Sequence, residues 1–203
     1  MRVFLDDHPI PIATPTLAAA LAAVRESAER SGRVVIEVFR DGQLLPDALL
    51  ASPTDAEEPG AELRCASADP CQLVASSLRQ AADELAASRE SHLAAAHSIQ
   101  TGKLDQAMPQ LSAALAAWTQ IHQVVTNGIR LIGLDEQTPI GEPPRPLADS
   151  IASLSARLNE VKRALQAQDW SGLADALAYE LPDQTDHWRD LVLVLADRIS
   201  AIR

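Results

Sequence analysis

The spacing best suited to chemistry lies near the C-terminal end. Asp183, His187 and Asp190 fall at i, i+4 and i+7, so a helix over this stretch turns a carboxylate, an imidazole and a second carboxylate to one side. Oxygen and imidazole groups in that order suit a divalent cation. The competing reading is an acidic first helical turn followed by a solvated face, with Asp183 and Asp186 complementing the helix dipole. Acids are expected at helix starts, so this reading is preferred. His92 and His122 also lie on apolar stripes. If the chain turns at Gly102, they stand roughly 15 Å apart along the helix axes. Separate hydrogen-bonded histidines are expected, not two ligands of one ion.

No nucleophile elbow, phosphate-cradling glycine loop, zinc-ligand array or dinucleotide fingerprint occurs, so no catalytic residue is assigned and no cofactor is implied. Trp118, Trp170 and Trp188 fall at helix positions that fit core packing, and with 3% aromatic residues little remains for stacking bases or sugars. Asp and Glu (28) exceed Lys and Arg (17), and the net charge of -11 repels nucleic-acid phosphates and anionic lipid. Neither nucleic acid nor membrane is an expected partner. Asp6 and Asp7 interrupt the stretch that a signal peptide needs apolar, and no later run approaches a membrane span, so a cytoplasmic protein is expected. Cys65 and Cys71 have no His or Cys companions at metal-ligand spacing and read as reduced thiols.

The elements that must position these residues divide the chain in two. In the first 70 residues, Val3 to Asp6 and Ile10 to Ala13 read as a hairpin with Asp7-His8-Pro9 as its turn. Pro11 cannot donate to a ladder, which places the second strand at a sheet edge. Thr14 or Thr16 caps a helix with the stripe Leu17, Leu21, Val24 and Ala28, and Ser31-Gly32 ends it. Arg33 to Arg40 carries the strongest β signal, and Asp41-Gly42 turns it tightly into Gln43 to Leu45. After a polar loop, Leu63 and Cys65 alternate with Glu62 and Arg64 in a last strand.

Residues 71–203 read as an antiparallel helical bundle. One stripe runs from Cys71 through Leu78 and His92 to Ile99, and Gly102 breaks it. A second runs from Leu104 through Leu111 and Trp118 to Ile132, with Pro109 either near its start or kinking it. Residues 133–146 read as a mobile linker. A third stripe runs from Leu147 to Leu165, Asp169 caps a continuation, and Pro182 ends that helix and suits the first turn of the last one. Ile99-Gln100 through Leu104, Leu111 and Leu115 matches Leu165-Gln166 through Trp170, Leu177 and Leu181 at a constant offset, which reads as two related helical hairpins, the alternative being chance similarity in an Ala- and Leu-rich sequence. The run Leu191, Val192, Leu193, Val194 and Leu195 is apolar on every face. It is either central in the bundle or, with Trp188, an interface to a partner.

The fold class is therefore α+β, a sheet with one helix followed by an all-α bundle. The order hairpin, helix, strand with a DG turn, loop, strand resembles the β-grasp fold of ubiquitin and the bacterial sulfur carriers over the first 70 residues. Those carriers end in a free Gly-Gly tail. Here Ala68-Asp69-Pro70-Cys71 follows instead, so the resemblance implies the fold and not the carrier chemistry. The segment DWSGLADALAYELPDQTDHW, Asp169 to Trp188, is faintly similar to helical regions of uncharacterised bacterial proteins, some of them associated with flagellar and secretion functions. That similarity implies a client helix as partner and transfers no site residue. The expected function is a non-enzymatic protein-interaction module, adapter or chaperone-like, with a protein partner or self-association. The alternative is a metal-dependent enzyme or ligand-binding protein with its site between sheet domain and bundle.

Overall fold

In the computed structural model, which describes residues 1–51, 53, 60–141 and 143–202, the chain is α+β and divides into two units, Met1–Leu73 and Val74–Arg203. In the first unit β1 (Arg2–Leu5) pairs antiparallel with β2 (His8–Pro9). The turn between them is Asp6-Asp7, at φ 48° and 64°, and not the expected Asp7-His8-Pro9. Two left-handed residues match the twist of a hairpin, and aspartate tolerates that conformation better than branched residues do. The second strand is correspondingly earlier than Ile10 to Ala13, although the Ile10 N–H still bonds the Val3 carbonyl. Helix α1 (Leu17–Arg30) is capped by Thr16, whose hydroxyl accepts from the Ala19 N–H, and it buries Leu17, Ala20, Val24 and Ala28.

Strand β3 (Val34–Arg40) turns through Asp41-Gly42, both at positive φ, into β4 (Gln43–Leu44). A short helix α2 (Asp47–Ala51) occupies part of the expected polar loop, and residues 52 and 54–59 of that loop lie outside the described residues. The last strand, β5 (Glu62–Ala68), runs parallel to β1 and antiparallel to β3, giving the order β2-β1-β5-β3-β4. Edge placement of β2 accommodates Pro9, which has no N–H to offer a neighbour. The inward face joins Val3, Leu5, Val38, Leu63 and Cys65 to the buried side of α1. Ser67 ties three segments together: Asp6 accepts from its backbone N–H, and Arg33 donates to its carbonyl at 2.6 Å. Those Ser67 hydrogen bonds hold the Asp6 carboxyl below its usual value of 3.8, and nearby Arg33 acts in the same direction.

The helices begin with α3 (Pro70–Gln100) and α4 (Leu104–Leu131). Contacts pair Val74 with Gly128, His92 with Trp118 and Ser98 with Gln110, so the two run antiparallel, as their stripes predict. At the far crossing a Cβ on Gly128 would stand 2.9 Å from Val74 Cγ1, too close for any side chain without movement. Pro109 sits in the second turn of α4, near enough to the N-terminus that the one lost backbone bond leaves the helix continuous. Residues 133–146 are not a free linker. They form a hairpin of β6 (Pro139–Ile140) and β7 (Arg145–Pro146), with Ile140 buried and Arg198 donating to the Pro139 carbonyl at 2.7 Å. One apolar side chain and one arginine suffice to pin a segment that turn-forming residues make look loose.

Helix α5 (Leu147–Gln166) is followed by α6 (Trp170–Asp175), a π-helical turn (Ala176–Glu180) and α7 (Leu181–Ser200). Pro182 stands in the first turn of α7, as the sequence predicts, but it does not end the preceding helix. The Leu181 N–H reaches back five residues to the Ala176 carbonyl, and this wider turn gives the proline ring room, so the helix continues. Ser150 with His187 and Arg157 with Glu180 show that α5 and α7 are antiparallel too. Among the described residues no helix is long and apolar enough to cross a membrane.

The suspected repeat has a structural counterpart. Gln100 and Gln166 each end a helix, and Leu104 and Trp170 each begin the next. Between them Lys103 N–H bonds the Ser98 carbonyl, and Asp169 N–H bonds the Ala164 carbonyl in the same way. Ile99, Leu111, Leu177 and Leu181 share one core cluster, which Leu104, Leu115, Leu165 and Trp170 pack against. The same pair of closing bonds ends α1 at Gly32, α3 at Gly102, α4 at Gly133 and α5 at Gln168. Gln168 alone of these is not glycine, yet it stands at φ 53°. Gln168→Gly is therefore expected to raise stability by about 1 kcal/mol, read as a higher denaturant midpoint; an unchanged or lower midpoint would refute the strain.

Candidate functional site

Helix α7 has Trp188, Val192 and Leu195 fully buried, leaving Asp183, His187 and Asp190 exposed. The trio lies on one helix as its spacing requires. Even so, no group of three or more His, Cys, Asp or Glu placed to hold a metal ion occurs among the described residues. His187 and Asp190 instead line a cleft of about 390 Å³ that Asp183 does not reach. Its other polar walls are Arg145 of β7 and Ser150 of α5, and its apolar walls include Ile140, Leu191 and Val194. Across it, Ser150 Oγ and His187 Nε2 share a hydrogen bond of 3.4 Å. Asp190 stands 3.9 Å from Arg189, and no carboxylate among the described residues pairs with Arg145.

Of the residues considered for an interface, Trp188 and Val192 are fully buried within the bundle, Leu191 is buried and Leu193 half-buried. Val194 is 46% exposed, and it faces the cleft. Ser150 and Arg145 were absent from the reading of the sequence. Both lie some 40 residues before His187, and it is the antiparallel packing of α5 on α7, with the hairpin leading into α5, that brings them to it.

His92 is completely buried, and its Nε2 accepts from the Trp118 indole N–H at 3.2 Å, with the two rings stacked. Trp118 in turn meets Trp188 edge-on, centroids 6.3 Å apart. Burial pushes the His92 imidazole down to about 4. His122 is half-buried and does not join this cluster. Cys65 is buried and Cys71 partly so, both as free thiols, and burial with the Asp6 charge nearby pushes the Cys65 thiol up to about 11.

A second concavity, of about 320 Å³, lies in the sheet unit between α1 and β3, with Leu21, Val24, Val34, Ile36 and Leu50 in its walls. Its charged lining residues are Arg25, Glu29 and Arg33. The neighbouring stretch of β3 is uncovered. Strand β4 pairs with Phe39 and Arg40, and Leu45 N–H bonds the Val38 carbonyl, which leaves Val34 to Glu37 without a strand on that side among the described residues. A bulge falls there, between Val35 and Glu37, and Ile36 is 47% exposed.

A family model described as a domain of unknown function (DUF8042) matches residues 76–191, from within α3 to within α7. No curated protein and no solved structure matches the chain.

Proposed function

Since the chain belongs to the family of domains of unknown function DUF8042, which fixes no reaction, we infer the function from its own surfaces: a non-enzymatic protein-interaction module, adapter or chaperone-like, whose sheet unit takes an extended segment of a protein partner. The observation that carries this reading is the uncovered stretch Val34 to Glu37 beside an apolar groove. Unpaired strand groups bind an added strand through backbone hydrogen bonds, and the groove selects its side chains. Arg33 is engaged by Asp6 and Ser67, but Arg25 at the groove pairs with no carboxylate among the described residues, which favours an apolar segment with an acidic flank. The strand order and the parallel β1–β5 pair support reading this unit as β-grasp-like. The large exposed apolar residues of the helical unit among the described residues, Leu93, Leu131, Tyr179, Val194 and Ile202, are scattered over α3, α4, the π turn, α7 and the residues after α7, which favours the sheet unit as the docking site.

Selection from displayed random peptides tests this with the intact chain. Enriched peptides should carry a short β-branched apolar run with acids beside it. Ile36→Lys, at an exposed position that the fold does not need, should weaken them by roughly ten-fold or more, because a charge is then desolvated against the added strand. Enrichment of peptides insensitive to Ile36→Lys, or of none, refutes the reading. A concentration-dependent dimer abolished by Ile36→Lys would identify a second copy as the occupant.

A further inference from the structure

We propose that the cleft of the helical unit between the β6–β7 hairpin, α5 and α7 binds a small organic carboxylate, its head held by Arg145 with Ser150 and its apolar body laid against Ile140, Leu191 and Val194. The cleft's volume of about 390 Å³ falls in the range of small-ligand sites, and its make-up is that of such sites, apolar walls around a few converging polar groups. The charge fits an anion. Asp190 already has Arg189 beside it, whereas Arg145 presents five N–H donors that no carboxylate of the described residues accepts. Ser150 Oγ and His187 Nε2 face each other at 3.4 Å, so the hydroxyl can turn its proton toward a carboxylate oxygen or toward the ring.

The apolar half of the argument comes from α7. The run Leu191 to Leu195 is apolar on all faces, but one side of the helix is not covered by protein. Val194 is the member left 46% exposed, and it opens into this cleft. A ligand with an apolar body covers Val194 and gives the all-round apolar character of the run a use. The hairpin that supplies Arg145 and Ile140 is held by Arg198 on the Pro139 carbonyl and by the burial of Ile140, so the cleft is preformed.

Hexanoate is the probe, followed on the full chain by NMR signals of the His187 ring and the Val194 methyl groups. The expected result is saturable shifts at both, weakened roughly ten-fold by Arg145→Gln and unchanged by Asp183→Asn, with the thermal midpoint of each variant as in the parent. Hexanol, which keeps the apolar body and lacks the carboxylate, should bind correspondingly more weakly. The proposal is overturned if hexanoate gives no saturable shift, if Arg145→Gln leaves the shifts unaltered, or if hexanol binds equally well. It is also overturned if light scattering finds a dimer that shields Val194.

Discussion

Trp118→Ala will destabilise the helical unit by about 5 kcal/mol, more than any other truncation of a single side chain considered for this chain. Three losses coincide there. Trp118 is 1% exposed, so its removal both returns a large apolar area to water and leaves a hole between α3 and α4. The buried His92 Nε2 loses the donor it accepts from. Trp188 loses the ring it meets edge-on, which couples the first helical hairpin to the second. Trp118→Phe separates these terms. It retains one aromatic ring but discards the donor and part of the indole's volume, so a smaller loss, about 2 to 3 kcal/mol, should follow. Chemical denaturation followed by far-UV circular dichroism reads both variants. A loss below about 2 kcal/mol for the alanine variant would mean that the ring is not the anchor its burial implies.

How much of this was legible beforehand differs between elements for physical reasons. The stripes of α3, α4 and α5 announce themselves because each helix buries one continuous face, and the glycines at 32, 102 and 133 mark helix ends because they occupy left-handed positions. The repeat has a counterpart too, since both turns close with the same backbone bonds at the same offset. Misreadings arose where a residue takes a conformation its type does not advertise. Asp6-Asp7 forms the hairpin turn without a glycine, which drew attention to Asp7-His8-Pro9. Pro182 reads as a stop because an ordinary α-helix cannot absorb its ring, and the π turn that absorbs it has no sequence signature.

The candidate sites were partly legible in the same sense. His187 and Asp190 stood out by spacing, but their spacing suggested a cation while their neighbours favour an anion. The decisive neighbours come from elsewhere in the chain, Ser150 through the packing of α5 on α7 and Arg145 from the hairpin, tertiary events that no local pattern encodes. The groove beside β3 is similar. A run of β-branched residues marks β3 as a strand, but that β4 covers only its far end depends on a two-residue strand length set by the chain's departure at Leu45-Pro46.

His92 makes the helical unit acid-labile in a defined window. In the unfolded chain its imidazole titrates at 6.5, and in the folded chain at about 4, because protonation there would place a charge where nothing solvates it. Between those values the unfolded state binds a proton that the folded state refuses, so stability falls as the pH is lowered from 6.5 and levels off below about 4. The full loss is about 3 kcal/mol, and about 2 kcal/mol is already gone at pH 5. Asp6 acts in a different place and range. Its lowered carboxyl contributes stability to the sheet unit that is lost only as the pH falls below 3.8. Tryptophan fluorescence isolates the His92 effect, since Trp118, Trp170 and Trp188 all belong to the helical unit. His92→Gln keeps an acceptor for the Trp118 N–H and removes the titrating group. Whatever its absolute stability, the denaturant midpoint of this variant should be flat between pH 6.5 and 4.5, where that of the parent declines. A decline of equal slope in both proteins would assign the acid sensitivity to other groups and refute a neutral, water-excluded imidazole at the centre of the bundle.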